Sequence, residues 1–242
     1  MRLTVLGGCG AWPEPGSACS GFLVEHDGFR LVLDLGYATM PRLAGQVDAV
    51  FISHGHPDHC ADLNPLLRSR VLAAEPPVPL PVHALPGALD AVLALDRPGM
   101  LDDAYVLHEI TAGLPFTVGP FAASTRLLPH WVPNVGVRLA AGGRVLAYTG
   151  DCGPSPEVVA LARDADLFIA EASCAAAVPE DALGFASSAR DAGRQAREAG
   201  ARHLLLTHLW PGTDPAAAVA HAAAEYPGPI GVAVPGLTIV PG

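Results

Sequence analysis

The chain has 242 residues, 50% of them hydrophobic and 16% charged, which excludes an extended disordered protein. Its formal net charge is -10 and all 14 basic residues are arginine, so Schiff-base and lysine-base chemistry are excluded. The acidic balance argues against long nucleic acid as a partner, and the lack of about 18 uninterrupted apolar residues argues against a membrane span.

Leu3 to Leu6 reads as a first strand, too short an apolar run for a signal peptide, and leads into a Gly- and Pro-rich loop from Gly7 to Ser20. Gly21 to Glu25 and Phe29 to Leu35 read as a hairpin around His26-Asp27-Gly28, where Asp-Gly favours the turn. Val47 to Ser53 is a short apolar run of the buried-strand kind, and a helix through Leu66 and Leu72 is expected to stop by Pro76-Pro77. Residues 76 to 120 suggest Pro-rich strands and one short helix, about Ala88 to Leu95. Phe121 to Leu128 is strand-like, and Val135 to Ala140 with Arg144 to Thr149 flank a turn at Ala141-Gly142-Gly143. Ser155-Pro156 reads as the start of a helix to about Arg163. Asp166 to Ala170 and His203 to Thr207 read as buried strands, separated by a helix that opens on a capping box at Ser188 and ends at Gly200. Asp214-Pro215 caps a last helix to about Tyr226, and a final strand covers Ile230 to Val234. Strands alternating with helices in both halves point to an α/β layered fold in one domain, 1–242.

The residues with chemistry to offer are concentrated. His54-Gly55-His56-Pro57-Asp58-His59 places three imidazoles and a carboxylate within six positions, just after an apolar strand. Neutral imidazole and carboxylate are what zinc takes as ligands. A lone HxH is more often a solvated loop, but four donors this close shift the reading to metal. Neighbours on a tight loop point different ways, so His54 and His56 can face one ion while Asp58 and His59 face a second. His130, Asp151 and His208 each follow an apolar strand, where side chains converge at one end of a sheet. Asp151 is the natural bridge, having two oxygens to share. The remaining histidines (His26, His83, His108, His203, His221) read as structural or solvated. Cys9, Cys19, Cys60, Cys152 and Cys174 form no CxxC pair and read as reduced thiols of a cytoplasmic protein. Trp131 and Trp210 each follow a ligand histidine and read equally as a substrate-pocket wall or as core.

The order Asp34, HxHxDH, His130, Thr149-Gly150-Asp151, Leu206-Thr207-His208 resembles the metallo-β-lactamase fold superfamily, whose five recurring motifs it spans from Leu33 to His208. Aspartate rather than cysteine at position 151, His59 after Asp58, and Glu171-Ala172-Ser173 look like its ribonuclease Z-like phosphodiesterase branch. The resemblance implies an α/β fold, a four-layer αβ/βα sandwich with its metals at one edge. It implies two zinc ions, with manganese or iron as substitutes: His54, His56 and His130 on one, Asp58, His59 and His208 on the other, Asp151 between, and Asp34 orienting a ligand. The implied activity is hydrolysis by a metal-bridging hydroxide that Asp58 orients, on a small anionic phosphodiester such as a cyclic nucleotide. A thioester or lactone hydrolase is the alternative on the same site, with a one-iron oxygenase and a metal-binding protein without turnover as rivals of another class. A homodimer stays open. Two departures stand out. Ala186 occupies the position where that branch carries a histidine acid, and the chain is short for the protruding tRNA-binding arm.

Overall fold

The computed structural model describes residues 1–74 and 78–242 and arranges them around two seven-stranded sheets. The first holds β1 (Arg2–Gly7), β2 (Gly21–His26), β3 (Phe29–Leu35), β4 (Ala49–Phe51), β5 (Leu80–Ala84) and β6 (Tyr105–Glu109). The second holds β7 (Phe116–Val118), β8 (Phe121–Leu128), β9 (Asn134–Ala141), β10 (Arg144–Tyr148), β11 (Leu167–Glu171), β12 (Leu204–Thr207) and β13 (Ile230–Val232), and β14 (Thr238–Ile239) returns to the edge of the first sheet beside β1. Both sheets follow one plan. β1 to β3 and β7 to β10 run antiparallel. β3 to β6 and β10 to β13 then run parallel, so each needs a crossover.

Period-2 alternation decides the layers. Leu31 and Leu33 of β3, with Ala49 and Phe51 of β4, face a core between the sheets that also takes Phe22, Phe121, Tyr148 and Ile169. Val32, Val50 and Ile52 face the other way, onto a helical layer of α1 (Pro57–Cys60), α2 (Leu63–Val71) and α3 (Asp90–Leu93). Phe168, Ala170, Leu204 and Leu206 of the second sheet face α4 (Pro156–Ala162), α5 (Ala189–Ala199) and α6 (Pro215–Ala223). The result is the expected helix–sheet–sheet–helix sandwich.

Local signals placed most boundaries. Ser155 caps α4 by accepting from Val158 N. Ser188 and Asp191 form the reciprocal capping box of α5, which ends at Gly200 in the left-handed region. Some expectations fail. The expected loop after His56 is a helical turn, because Pro57 at its first position is preset for helix. The strand expected over Val47 to Ser53 pairs only at Ala49–Phe51. The last helix stops at Ala223 rather than Tyr226, and the last strand is β14, whose two residues carry too little pattern to be read. The expected stop of α2 at Pro76-Pro77 lies outside the described residues, and α2 ends at Val71.

Candidate metal centre

The seven sequence candidates meet at the junction of the two sheets. His54, His56, Asp58 and His59 come from the turn after β4, and His130, Asp151 and His208 follow β8, β10 and β12. They form two groups sharing Asp151, namely His54, His56, His130 and Asp151, and Asp58, His59, Asp151 and His208. Within each group the donor atoms all lie within 4.8 Å of one another. In the first group His56 Nδ1 is 3.1 Å from both His54 Nε2 and His130 Nε2, and Asp151 Oδ2 is 3.8 Å and 3.9 Å from those two nitrogens. In the second, His208 Nε2 is 3.1 Å from Asp58 Oδ2 and from Asp151 Oδ2, and His59 Nε2 is 3.1 Å from Asp151 Oδ1. Tetrahedral zinc with bonds of about 2.0–2.2 Å sets donors about 3.3–3.6 Å apart. The observed separations bracket that value.

Four of the five imidazoles are fixed by what their Nδ1 touches. His59 donates to Asp34 Oδ2 at 2.8 Å and His130 to the Phe185 carbonyl at 2.9 Å. The Ser53 hydroxyl donates to Asp34 Oδ2 at 2.7 Å and therefore accepts from His54 Nδ1 at 3.0 Å. The Ser173 hydroxyl donates to Glu171 Oε1 at 2.6 Å and therefore accepts from His208 Nδ1 at 3.1 Å. Each bond keeps a proton on Nδ1 and aims Nε2 into the cluster, as the atom that binds a metal once any proton on it has left. His59 Nε2 and Asp151 Oδ1 are buried without a hydrogen-bond partner. A lone pair facing a carboxylate oxygen in a dry interior is held only by a shared cation or proton. The donor set therefore fits divalent metal.

Charge follows the same geometry. Burial holds His54 well below its ordinary value, with His59 adding to it, and burial also lowers His56 and His130, so these three are neutral donors. Burial opposes the charged forms of Asp151 and His59, yet each is kept ionic by the other and by its neighbours. His208 and His59 hold Asp151 well below the carboxylate range, and Asp151 and Asp58 hold His59 well above the imidazole range. His208 is raised against burial in the same way, by Asp151 and Asp58. Burial and the charge of Asp151 push Glu171 up to about 8.

Two glycines let the turns close on this cluster. A Cβ on Gly10 would lie 2.6 Å from the His208 carbonyl oxygen and 2.8 Å from its Nδ1, and a Cβ on Gly36 would overlap the Asp58 carbonyl oxygen. His208 itself sits at φ 61 and Asp34 at φ 56, left-handed backbone that non-glycine residues rarely adopt.

Asp34 is fully buried and accepts from Ser53 N, Ser53 Oγ, His59 Nδ1 and Tyr148 OH. It orients the ring of His59, as the resemblance implied. Sequence reasoning missed the roles of Ser53, Tyr148, Ser173, Glu171 and the Phe185 carbonyl. Only Ser53 had a local signal, its place directly before HxHxDH. The expected acid position, Ala186, is a buried apolar residue. Ser187 donates to the Cys152 carbonyl and Ser188 to Asp191, so both neighbouring hydroxyls are engaged. Burial pushes the thiol of Cys60 up to about 12 and that of Cys152 well above its ordinary value, in keeping with structural thiols. Trp131 is half exposed and is not core.

Residues 19–209 match the profile described as Beta-lactamase superfamily domain, and the chain belongs to this family. It is a metal-dependent hydrolase of the metallo-β-lactamase fold, and its relatives include ribonuclease Z-like members. It is 32% identical over 223 residues to a Bacillus subtilis protein named "Probable metallo-hydrolase YhfI", covering 86% of this chain and 87% of that one. The crystal structure of YhfI superposes with a TM-score of 0.90 at 27% identity, over 98% of both chains. Ribonuclease Z of Myxococcus xanthus is 29% identical over 303 aligned positions, covering 99% of this chain and 97% of that one. Because 303 positions exceed the 242 residues here, that protein carries insertions this chain lacks. The short form of human tRNase Z shares the fold, with a TM-score of 0.77 at 23% identity and full coverage of both chains. Among the described residues no helix is long and apolar enough to cross a membrane.

Proposed function

We propose that the chain is a dinuclear zinc hydrolase of a small phosphodiester, such as a cyclic nucleotide. His54, His56 and His130 hold one ion, Asp58, His59 and His208 the other, and Asp151 is shared. The observation that carries this reading is the set of four tautomer-fixed imidazoles whose Nε2 lone pairs converge on Asp58 and Asp151. A bound zinc pair supplies positive charge for the developing oxyanion and a water acidic near neutral pH. Asp58 is held in place by the Ala11 N–H at 2.9 Å and lies 6% exposed, so its carboxylate can accept a hydrogen bond from the attacking water and orient it. Likeness to ribonuclease Z supports a phosphodiester, and the insertions this chain lacks support a small one. The whole chain acts as one cytoplasmic domain in this reading.

A buried alanine at position 186 favours one second reading. With no imidazole there and both serines engaged, a thioester, whose thiolate leaves without a proton, suits the same site.

Protein purified without added metal decides between them, by elemental analysis together with hydrolysis of bis-p-nitrophenyl phosphate. About two zincs per chain, with turnover lost in His56→Ala, is the expected result. Loaded protein that cleaves a thioester and no phosphodiester would establish the second reading. A single iron, or no metal, would sink both.

A further inference from the structure

Among the described residues the exposed aromatic side chains are Trp12, Tyr37, Trp131 and Phe185. All four lie on segments that touch the metal centre. Trp12 follows Ala11, whose N–H binds Asp58, and Tyr37 follows Gly36, which packs on the Asp58 carbonyl. Trp131 follows His130, and the Phe185 carbonyl accepts from His130 Nδ1. In a chain with 6% aromatic residues, these exposed rings of the described residues all lie on segments that border the centre.

Two of them are arranged for a purpose that core packing does not explain. The Trp131 ring meets the His130 ring edge-to-face at 5.0 Å and stacks on Phe185 at 5.7 Å with an interplanar angle of 24°. Both rings remain open to solvent, Trp131 at 50% and Phe185 at 41%. They cover the His130 ring, whose side chain is 2% exposed, in the group that also contains the partly buried His56, so the pair stands on the open side of the centre.

We infer that Trp131 and Phe185 form a stacking platform for a planar heteroaromatic ring carried by the substrate, a nucleobase-like group attached to the scissile phosphodiester. This deepens the phosphodiesterase reading and rests on it. Stacked on each other, the two rings use their facing surfaces and leave a flat outer face open to solvent, which suits a further planar ring. A quaternary ammonium head would instead need rings set around it as a cage.

The test compares 5′-AMP, ribose 5-phosphate and phosphocholine binding to zinc-supplemented protein by calorimetry, alongside p-nitrophenyl phosphodiester turnover. The expected preference for 5′-AMP over ribose 5-phosphate is roughly tenfold to a hundredfold. It collapses in Trp131→Ala and in Phe185→Ala, and it survives in Trp131→Phe, which keeps a ring. Tryptophan fluorescence is quenched by 5′-AMP and not by ribose 5-phosphate, and the quench shrinks in Trp131→Phe while the preference remains. Equal affinity for the two phosphates, an unchanged preference in Trp131→Ala and Phe185→Ala, or tighter binding of phosphocholine overturns the platform. If phosphodiester turnover persists in any of those cases, only the platform fails. Loss of turnover and of nucleotide binding together overturns the platform and the phosphodiesterase reading.

Discussion

The Tyr148 hydroxyl on β10 donates a 2.6 Å hydrogen bond to Asp34 Oδ2 on β3, so one buried contact ties the second sheet to the first directly behind the metal centre. Asp34 Oδ2 also receives His59 Nδ1, and the packing of the two sheets thereby sets the angle of the His59 ring. Tyr148→Phe keeps the ring in its core but removes a bond to a buried carboxylate. Stability should fall by about 1.5–3 kcal/mol in urea denaturation of the zinc-loaded protein. Zinc affinity should drop less, because Ser53 and His59 still hold Asp34.

Ser173→Ala acts at His208, on the opposite side of the cluster. It takes away the hydroxyl that accepts from His208 Nδ1 and leaves that ring free to hold its proton on either nitrogen. Zinc affinity should fall about 10- to 100-fold in competition with a chromophoric chelator.

Gly10→Ala drives a methyl group against the His208 carbonyl and ring. His208 has little room to retreat, since its N–H is bonded to the Gly8 carbonyl at 2.8 Å. The expected outcome is about 1–3 kcal/mol of destabilisation and loss of zinc from the His208 side, read as zinc per chain after gel filtration.

Zinc uptake should release protons. His59 and His208 are held above the ordinary imidazole value by the carboxylates around them, and a cation must displace those protons. Binding enthalpies at pH 7 should therefore vary with the ionisation heat of the buffer, and affinity should weaken as pH falls. Removing the metal should lower the melting temperature, since free zinc at about a thousandfold its Kd stabilises by about 4 kcal/mol.

His83 provides a pH dependence away from the site. It stacks on His108 at 4.8 Å and on Phe116 at 5.4 Å, and burial, with the charge of His108, lowers it to about 4. The unfolded chain then binds the extra proton between pH about 6.5 and about 4, so this group removes stability as pH falls through that window. His83→Phe keeps the stack and should flatten the difference between urea midpoints at pH 7 and pH 4.5.

Much of the centre was legible because its signals are local. His54, His56, Asp58 and His59 lie within six positions, a density that few structural roles explain, and His130, Asp151 and His208 follow runs that read as strands. The hairpin at Asp27-Gly28 and the capping box at Ser188 were equally readable, since each is a bond between near neighbours. The two-residue β14 and the short pairing of β4 were not, because partners more than fifteen positions away define them.

The sequence by itself determined which donors exist and which strand ends deliver them, because spacing and period-2 patterning are properties of neighbours along the chain. Only the tertiary structure decided how those donors are aimed. Tyr148 reaches Asp34 across 114 positions, Phe185 reaches His130 across 55, and Ser173 reaches His208 across 35. The last two choose tautomers between segments brought together by the second sheet, and the first forms only once the two sheets have packed face to face.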